Sequence, residues 1–190
     1  MEQHKVYALE GLDGAGKTTT AQMLAEQSGG MYLYCMDGNK MKPYRKMFDD
    51  SPIPLRFLYY LAVSFDTFNQ VEQLRQYGNV FIDRAIASTV TYHKAFGLPD
   101  SWLELIPRVM LDQIDTMIYL TVMEEERRRR LDIRSATPGT MTISDDNSFL
   151  VADRIDKEYR DFCPDKTLIV STDEKSLLSV VNEIRKSINV

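Results

Sequence analysis

Gly11-Leu12-Asp13-Gly14-Ala15-Gly16-Lys17-Thr18 follows the apolar run Val6–Glu10 and leads into a helix-forming stretch, and the reading of the 190-residue chain turns on it. The segment fits G-x-x-x-x-G-K-[ST] in the strand–loop–helix setting that this pattern requires. Its glycines let backbone N–H groups wrap a phosphate, and the helix beginning near Lys17 adds the positive end of its dipole. The expected triphosphate cradle is Gly11, Asp13, Gly14, Ala15, Gly16, Lys17, Thr18 and Thr19. Lys17 reaches the β- and γ-phosphates of ATP, and the Thr18 hydroxyl ligates Mg²⁺. Thr19 and Thr20 extend the pattern either as ligands or as ordinary first-turn helix residues.

Outward from this loop, short apolar runs alternate with segments of helical period, the signature of βα units around a parallel sheet. The predicted strands are Val6–Glu10, Met31–Cys35, Val80–Asp83, Met117–Val122 and Thr167–Val170. A long helix is predicted from about Pro54 to Gln76, with Phe57, Leu61, Phe65, Phe68, Val71 and Leu74 as its core stripe. A closing helix is predicted from about Glu174 to Ile188, with Leu177, Val181, Ile184 and Ile188 facing inward. With 44% hydrophobic residues the chain suits one domain spanning 1–190. The opening MEQHKVYALE runs straight into a strand, and no stretch has the length of a membrane span, so a cytoplasmic location without a targeting segment is expected. Cys35 and Cys163 lack metal or redox spacing and read as small core hydrophobes. A net charge of -5 argues against nucleic acid as a partner and requires any phosphate to be met by a local cluster of cations.

Three further features bear on chemistry. Val80-Phe81-Ile82-Asp83-Arg84 delivers an acid and a base at the carboxyl end of a strand, where open α/β sheets place ligands. Asp83 can hold Mg²⁺ through water, and Arg84 can clamp an acceptor phosphate with its planar fork. Glu124 to Arg134 pairs Glu with Arg along a helix, which makes Arg128 and Arg129 self-paired and solvated. Arg127, Arg130 and Arg134 share one face and lead into Ser135–Asn147, a Pro-, Gly- and Asp-containing stretch read as a mobile lid. Arg130 and Arg134 are therefore candidates for contact with ATP, and Arg154 beyond the lid is a weaker one. No Asn-Lys-x-Asp segment for reading guanine is present, and the small acidic chain does not suit a nucleic-acid motor.

The combination LEGLDGAGKTT, QYGNVFIDR and IDRAIASTVTYH, followed by DTMIYLTV, the arginine-rich helix and a segment with Arg154 and Tyr159, resembles the thymidylate kinase family. The resemblance implies a three-layer P-loop NTPase fold with a five-stranded parallel sheet. It also implies transfer of the γ-phosphoryl group from ATP to a deoxynucleoside monophosphate, and a homodimer. It places Asp13 against the acceptor's sugar, Arg84 on its phosphate, and Ser88 and Tyr92 nearby; an aromatic of the long helix, Phe65, is the candidate to stack on the base. The chain departs from the family pattern at Ala85 and His93, and it has no arginine in Cys35–Asn39 or in Ala62–Phe65. Those departures leave open a nucleoside kinase using Asp37 as base, or a nucleotide-sensing module. Replacing Lys17 with Ala should abolish ATP-dependent turnover by any of the catalytic readings, and an unchanged steady-state rate of ADP release would remove the P-loop mechanism.

Overall fold

The computed structural model describes residues 4–35, 41–136, 150–162 and 167–190. Five strands, β1 (Val6–Glu10), β2 (Met31–Tyr34), β3 (Val80–Asp83), β4 (Thr116–Thr121) and β5 (Thr167–Ser171), form one sheet in the order β2-β3-β1-β4-β5. Every pairing is parallel. Parallel strands need crossovers that cover both faces, so the inner strands must be apolar throughout. Every residue of β1 and β3 is buried accordingly, including the two acids that end them, Glu10 and Asp83.

Among the described residues the α-helices are α1 (Lys17–Ser28), α2 (Arg45–Asp49), α3 (Ile53–Leu74), α4 (Ile86–Ala95), α5 (Arg108–Asp112), α6 (Glu124–Ser135), α7 (Ala152–Phe162) and α8 (Leu177–Ile188). On one face of the sheet, Tyr7, Leu9, Phe81, Ile118 and Leu120 pack against Ala21 and Leu24 of α1 and against Val180, Val181 and Ile184 of α8. On the other face, Met117 and Tyr119 meet Ala87 of α4 and Ile155 and Tyr159 of α7, while Val80 and Ile82 meet Val71 of α3. Period-two alternation in the strands divides the side chains between these two helical layers. Among the described residues, no helix is long and apolar enough to cross a membrane.

The predicted strands all form, with ends displaced by a residue at most. The closing helix starts later than predicted because Glu174 adopts φ +53 and Ser176 then caps the helix, accepting from the Ser179 N–H at 3.2 Å. The stripe assigned to α3 needs correction. Its buried residues are Phe57, Tyr59, Val63, Ser64, Thr67 and Val71, whereas Phe65 is 45% exposed. Consecutive helical residues are about 100° apart, so a face centred on Ser64 and Thr67 turns Phe65 outward. The sequence-based reading followed hydrophobicity and missed it because the inner face of this helix is partly polar. The stretch read as a lid lies outside the described residues from 137 onward, as do Asp37 and Cys163.

Candidate active site

The P-loop bridges the end of β1 and the start of α1, and its conformation demands two of its glycines. Gly11 has φ +142, and a Cβ there would sit 2.4 Å from the Leu120 carbonyl oxygen. Gly16, at φ +90, caps α1 in the left-handed region that side-chain-bearing residues avoid. Ala15 is fully buried and its N–H donates to the Leu12 carbonyl at 3.1 Å, so it shapes the loop from behind. Thr19 Oγ1 donates to the Gly16 carbonyl at 3.0 Å, which commits it to the first helical turn.

Lys17 is 6% exposed, and its ammonium donates to the carbonyls of Gly11 at 2.9 Å and Leu12 at 2.8 Å. An ammonium has three protons, so one donor remains for a phosphate. Burial, with the charge of nearby Arg84, brings the Lys17 pKa down to about 8. Thr18 Oγ1 donates to Asp83 Oδ2 at 2.5 Å, while Asp83 Oδ1 is buried with no hydrogen-bond partner among the described residues. A hydroxyl beside a carboxylate with one orphaned oxygen suits Mg²⁺, which prefers oxygen and keeps most of its ligands as water and phosphate. Among the described residues there is no cluster of three or more Asp, Glu, His or Cys side chains that could hold a metal ion by themselves.

Arg84 leaves β3 with φ +67, a left-handed conformation that costs a non-glycine residue on the order of 1 kcal/mol or more. Neighbouring groups hold it there. Its N–H donates to the Leu9 carbonyl at 3.1 Å, and the next N–H, of Ala85, donates to Glu10 Oε1 at 2.8 Å. The same Glu10 carboxylate receives the Ser88 N–H at 3.1 Å, the Ser88 hydroxyl at 2.5 Å and the Tyr159 hydroxyl at 3.0 Å. Burial raises the Glu10 pKa despite these bonds. The last residue of β1 thus caps α4 from outside that helix.

So fixed, the Arg84 guanidinium pairs with the Asp13 carboxylate, donates to Ser88 Oγ at 3.2 Å and lies 5.3 Å from the Tyr92 ring centroid. Tyr92 donates to Asp13 at 3.3 Å. Burial alone would raise the Asp13 carboxyl, but Arg84, then Lys17 and Arg134, hold it below its ordinary value. Burial likewise opposes the Arg84 charge, and Asp13 overrides it.

Asp13, Gly14, Gly16, Lys17, Thr18, Thr19, Asp83, Arg84, Ser88, Tyr92, Arg130 and Arg134 all line one cleft of about 710 Å³. Arg130 donates to the Gly14 carbonyl at 3.2 Å, to Thr172 Oγ1 at 3.0 Å and to the Thr172 carbonyl at 2.9 Å. It therefore straps the P-loop to the turn after β5. Arg127, on the same helical face, is completely buried beneath Gly14, whereas Arg128 and Arg129 are exposed and paired with Glu124 and Glu126. Arg154 is exposed and does not line the cleft. Phe65 does not line it either; the aromatics that do are Tyr32, Tyr34, Tyr60, Tyr92 and Phe96. Cys35, read as a core residue, lies on the cleft wall, with its thiol pushed up to about 12 by burial. Reading the sequence by motif assigned no role to Glu10, Tyr159 or Thr172. Tyr159 stood only within a segment resembling the family's, and Glu10 carried a signal as an acid ending an otherwise apolar strand beside the P-loop.

A parallel sheet with a phosphate loop on its central strand, and a second cationic centre across one cleft, defines a P-loop kinase. The thymidylate kinase family model matches residues 9–184, and the chain belongs to that family. A probable thymidylate kinase of Methanococcus aeolicus is 25% identical, covering 97% of this chain and 96% of its own. Among solved structures, the thymidylate kinase of Candida albicans superposes with TM-score 0.73 at 16% identity, covering 98% of this chain and 92% of that one. Deoxyadenosine kinase from M. mycoides, solved with dCMP and dCDP as products, superposes with TM-score 0.69 at 18% identity, covering 97% and 98% respectively. The chain is thus an ATP-dependent phosphotransferase of the nucleoside monophosphate kinase type.

The depressed Lys17 pKa has a measurable consequence. Phosphate oxygens favour the charged ammonium, so nucleotide binding raises this pKa, and above about pH 8 binding must take up a proton. Calorimetric titration with ATP in buffers of different ionisation heat should show uptake approaching one proton at about pH 9 and almost none at about pH 7. Lys17→Met should abolish the difference.

Proposed function

We infer that the protein transfers the γ-phosphoryl group of MgATP to the phosphate of dTMP or a related nucleoside monophosphate, yielding the diphosphate. The observation that supports this most directly is the Arg84–Asp13 pair, buried and facing the same cleft as Lys17. A planar fork suits a phosphate acceptor, and an anionic acceptor needs no general base. Asp13, kept ionised, is available to a sugar hydroxyl once the acceptor phosphate engages Arg84. Lys17 and Arg130 occupy the donor side, where positive charge stabilises the equatorial oxygens in transit. Thr18 and Asp83 are the groups that would hold Mg²⁺, which would supply positive charge to the donor's phosphates.

The active form is a homodimer joined through α3. Leu55, Leu58 and Phe65 are 46%, 40% and 45% exposed and, with exposed Ala62, follow the spacing of three and four residues that marks a helix-packing seam. Phe65→Asp should shift the sedimentation coefficient to that of the monomer; a wild-type monomer would overturn the assignment. The substrate is tested by ADP release with MgATP against a panel of nucleoside monophosphates and free nucleosides, with product mass read directly. Conversion of dTMP or another monophosphate to its diphosphate is expected. Conversion of free nucleosides alone would overturn the reading in favour of a hydroxyl acceptor.

A further inference from the structure

Tyr159, in α7, is fully buried and does not line the cleft, yet its hydroxyl reaches the residues that hold Arg84. It donates to Glu10 Oε2 at 3.0 Å and lies 2.8 Å from Ser88 Oγ. Ser88 has one hydroxyl proton, which goes to Glu10 Oε2 at 2.5 Å. The Ser88 lone pairs therefore face away from Glu10, and one of them accepts from Arg84 Nη1 at 3.2 Å. Asp13 holds Arg84 Nη2. A planar guanidinium pinned at both terminal nitrogens has a fixed direction, and one of the two pins depends on where the Ser88 hydroxyl points.

The two Glu10 oxygens serve different ends. Oε1 takes the N–H groups of Ala85 and Ser88, which fixes backbone, while Oε2 takes the two hydroxyls, which fixes side chains. Without the Tyr159 proton, Oε2 would keep one donor in a fully buried site, and the carboxylate would hold its charge less well. The groups facing Glu10 from the surrounding elements are Lys17, Cys35, Arg84, Tyr92 and Tyr159, with Tyr119 beside it in register on β4. Burial keeps the Cys35 thiol and the Tyr92 phenol neutral, and Tyr119 donates to Asp156. Among these groups the Glu10 charge is therefore supported by Lys17, Arg84 and the Tyr159 hydroxyl. The Tyr159 ring packs 4.9 Å from the Tyr119 ring and edge-on to Tyr92 at 6.4 Å, so deleting the hydroxyl alone leaves the packing in place.

Resting on the monophosphate-kinase reading above, we propose that Tyr159 is a positioning residue for the acceptor phosphate, aiming the Arg84 fork through Glu10 and Ser88 without touching either nucleotide. Its hydroxyl keeps Glu10 ionised, ionised Glu10 keeps the Ser88 proton, and Ser88 so turned keeps a lone pair on Arg84. A small misdirection of the fork weakens the acceptor's alignment and leaves the P-loop's hold on ATP alone.

The test is Tyr159→Phe, which removes the hydroxyl and keeps the ring. Its kcat/KM for dTMP, or for the monophosphate that wild type phosphorylates best, should fall about tenfold or more, the size of one hydrogen bond to a charged group, while the KM for ATP stays within about twofold. The acid limb of that kcat/KM profile should also move to higher pH, because the lost donor favoured the ionised carboxylate and Glu10 then takes up its proton earlier as pH falls. Adding Tyr159→Phe to Glu10→Gln, which cannot ionise, should shift the limb no further. A lowered melting temperature with unchanged kcat/KM and pH profile, or equal losses toward acceptor and ATP, would overturn the proposal. If Glu10→Gln does not fold, Tyr159→Phe against wild type decides. Calorimetric binding of dTMP and of ATP, each alone, separates the two readings: in Tyr159→Phe the Kd for dTMP should rise about tenfold and that for ATP stay within about twofold. If no monophosphate is phosphorylated the kinase reading fails, yet two unchanged or equally shifted affinities would by themselves overturn the role of Tyr159.

Discussion

A carboxylate sealed inside the sheet sets the geometry of both halves of the cleft. Glu10 ends the central strand, where water cannot solvate it, and it is tolerated there because two backbone N–H groups and two hydroxyls converge on it. A buried acid left unpaired would cost several kcal/mol, so the four donors and the acid are mutually dependent. The donors come from the turn after β3, from α4 and from α7. The acid therefore ties α4 and α7 to the strand that carries the P-loop. Arg84 sits inside that knot, which is why it can keep a backbone conformation it would otherwise leave.

The second constraint is electrostatic. A chain of net charge -5 that belongs to a family of ATP-dependent kinases must meet polyphosphate with local positive charge, and Lys17, Arg84, Arg130 and Arg134 all line one cleft. Unscreened, those cations would repel each other. Asp13 offsets the charge of both Arg84 and Lys17, Glu126 accepts from Arg130 at 2.7 Å, and Lys17 carries a weakened hold on its proton. The incoming nucleotide supplies the negative charge that the resting cleft lacks, so binding relieves repulsion as well as forming contacts.

Much of this was legible in the sequence, because the relevant signals are local. The P-loop reads from spacing alone, and the strands read from short apolar runs, since a parallel sheet buried on both faces tolerates little else. The common face of Arg127, Arg130 and Arg134 also follows from helical period, although period does not reveal that Arg127 is buried under Gly14 while Arg130 reaches Thr172. What stayed hidden depends on partners distant in the chain. Phe65 was placed on the inner face because hydrophobicity outweighed the pattern of Ser64 and Thr67, whose hydroxyls find acceptors on their own helix. Glu10 could be seen only as an exception within a strand, since its four donors lie 75 to 149 residues away.

The strand order carries a consequence for how the molecule comes into being. Of the sheet's five strands the earliest in sequence, β1, lies at its centre, and its neighbours are β3, where Val6 meets Val80, and β4, where Tyr7 meets Thr116. Until the chain has grown past β4, the strand that bears the phosphate loop has no complete seat. Such non-local parallel pairing is slow to close, because loop entropy is lost before contacts compensate. During synthesis the nascent chain therefore exposes an apolar edge for much of its emergence, and competence to hold a nucleotide arrives late, as a mark that the sheet has closed.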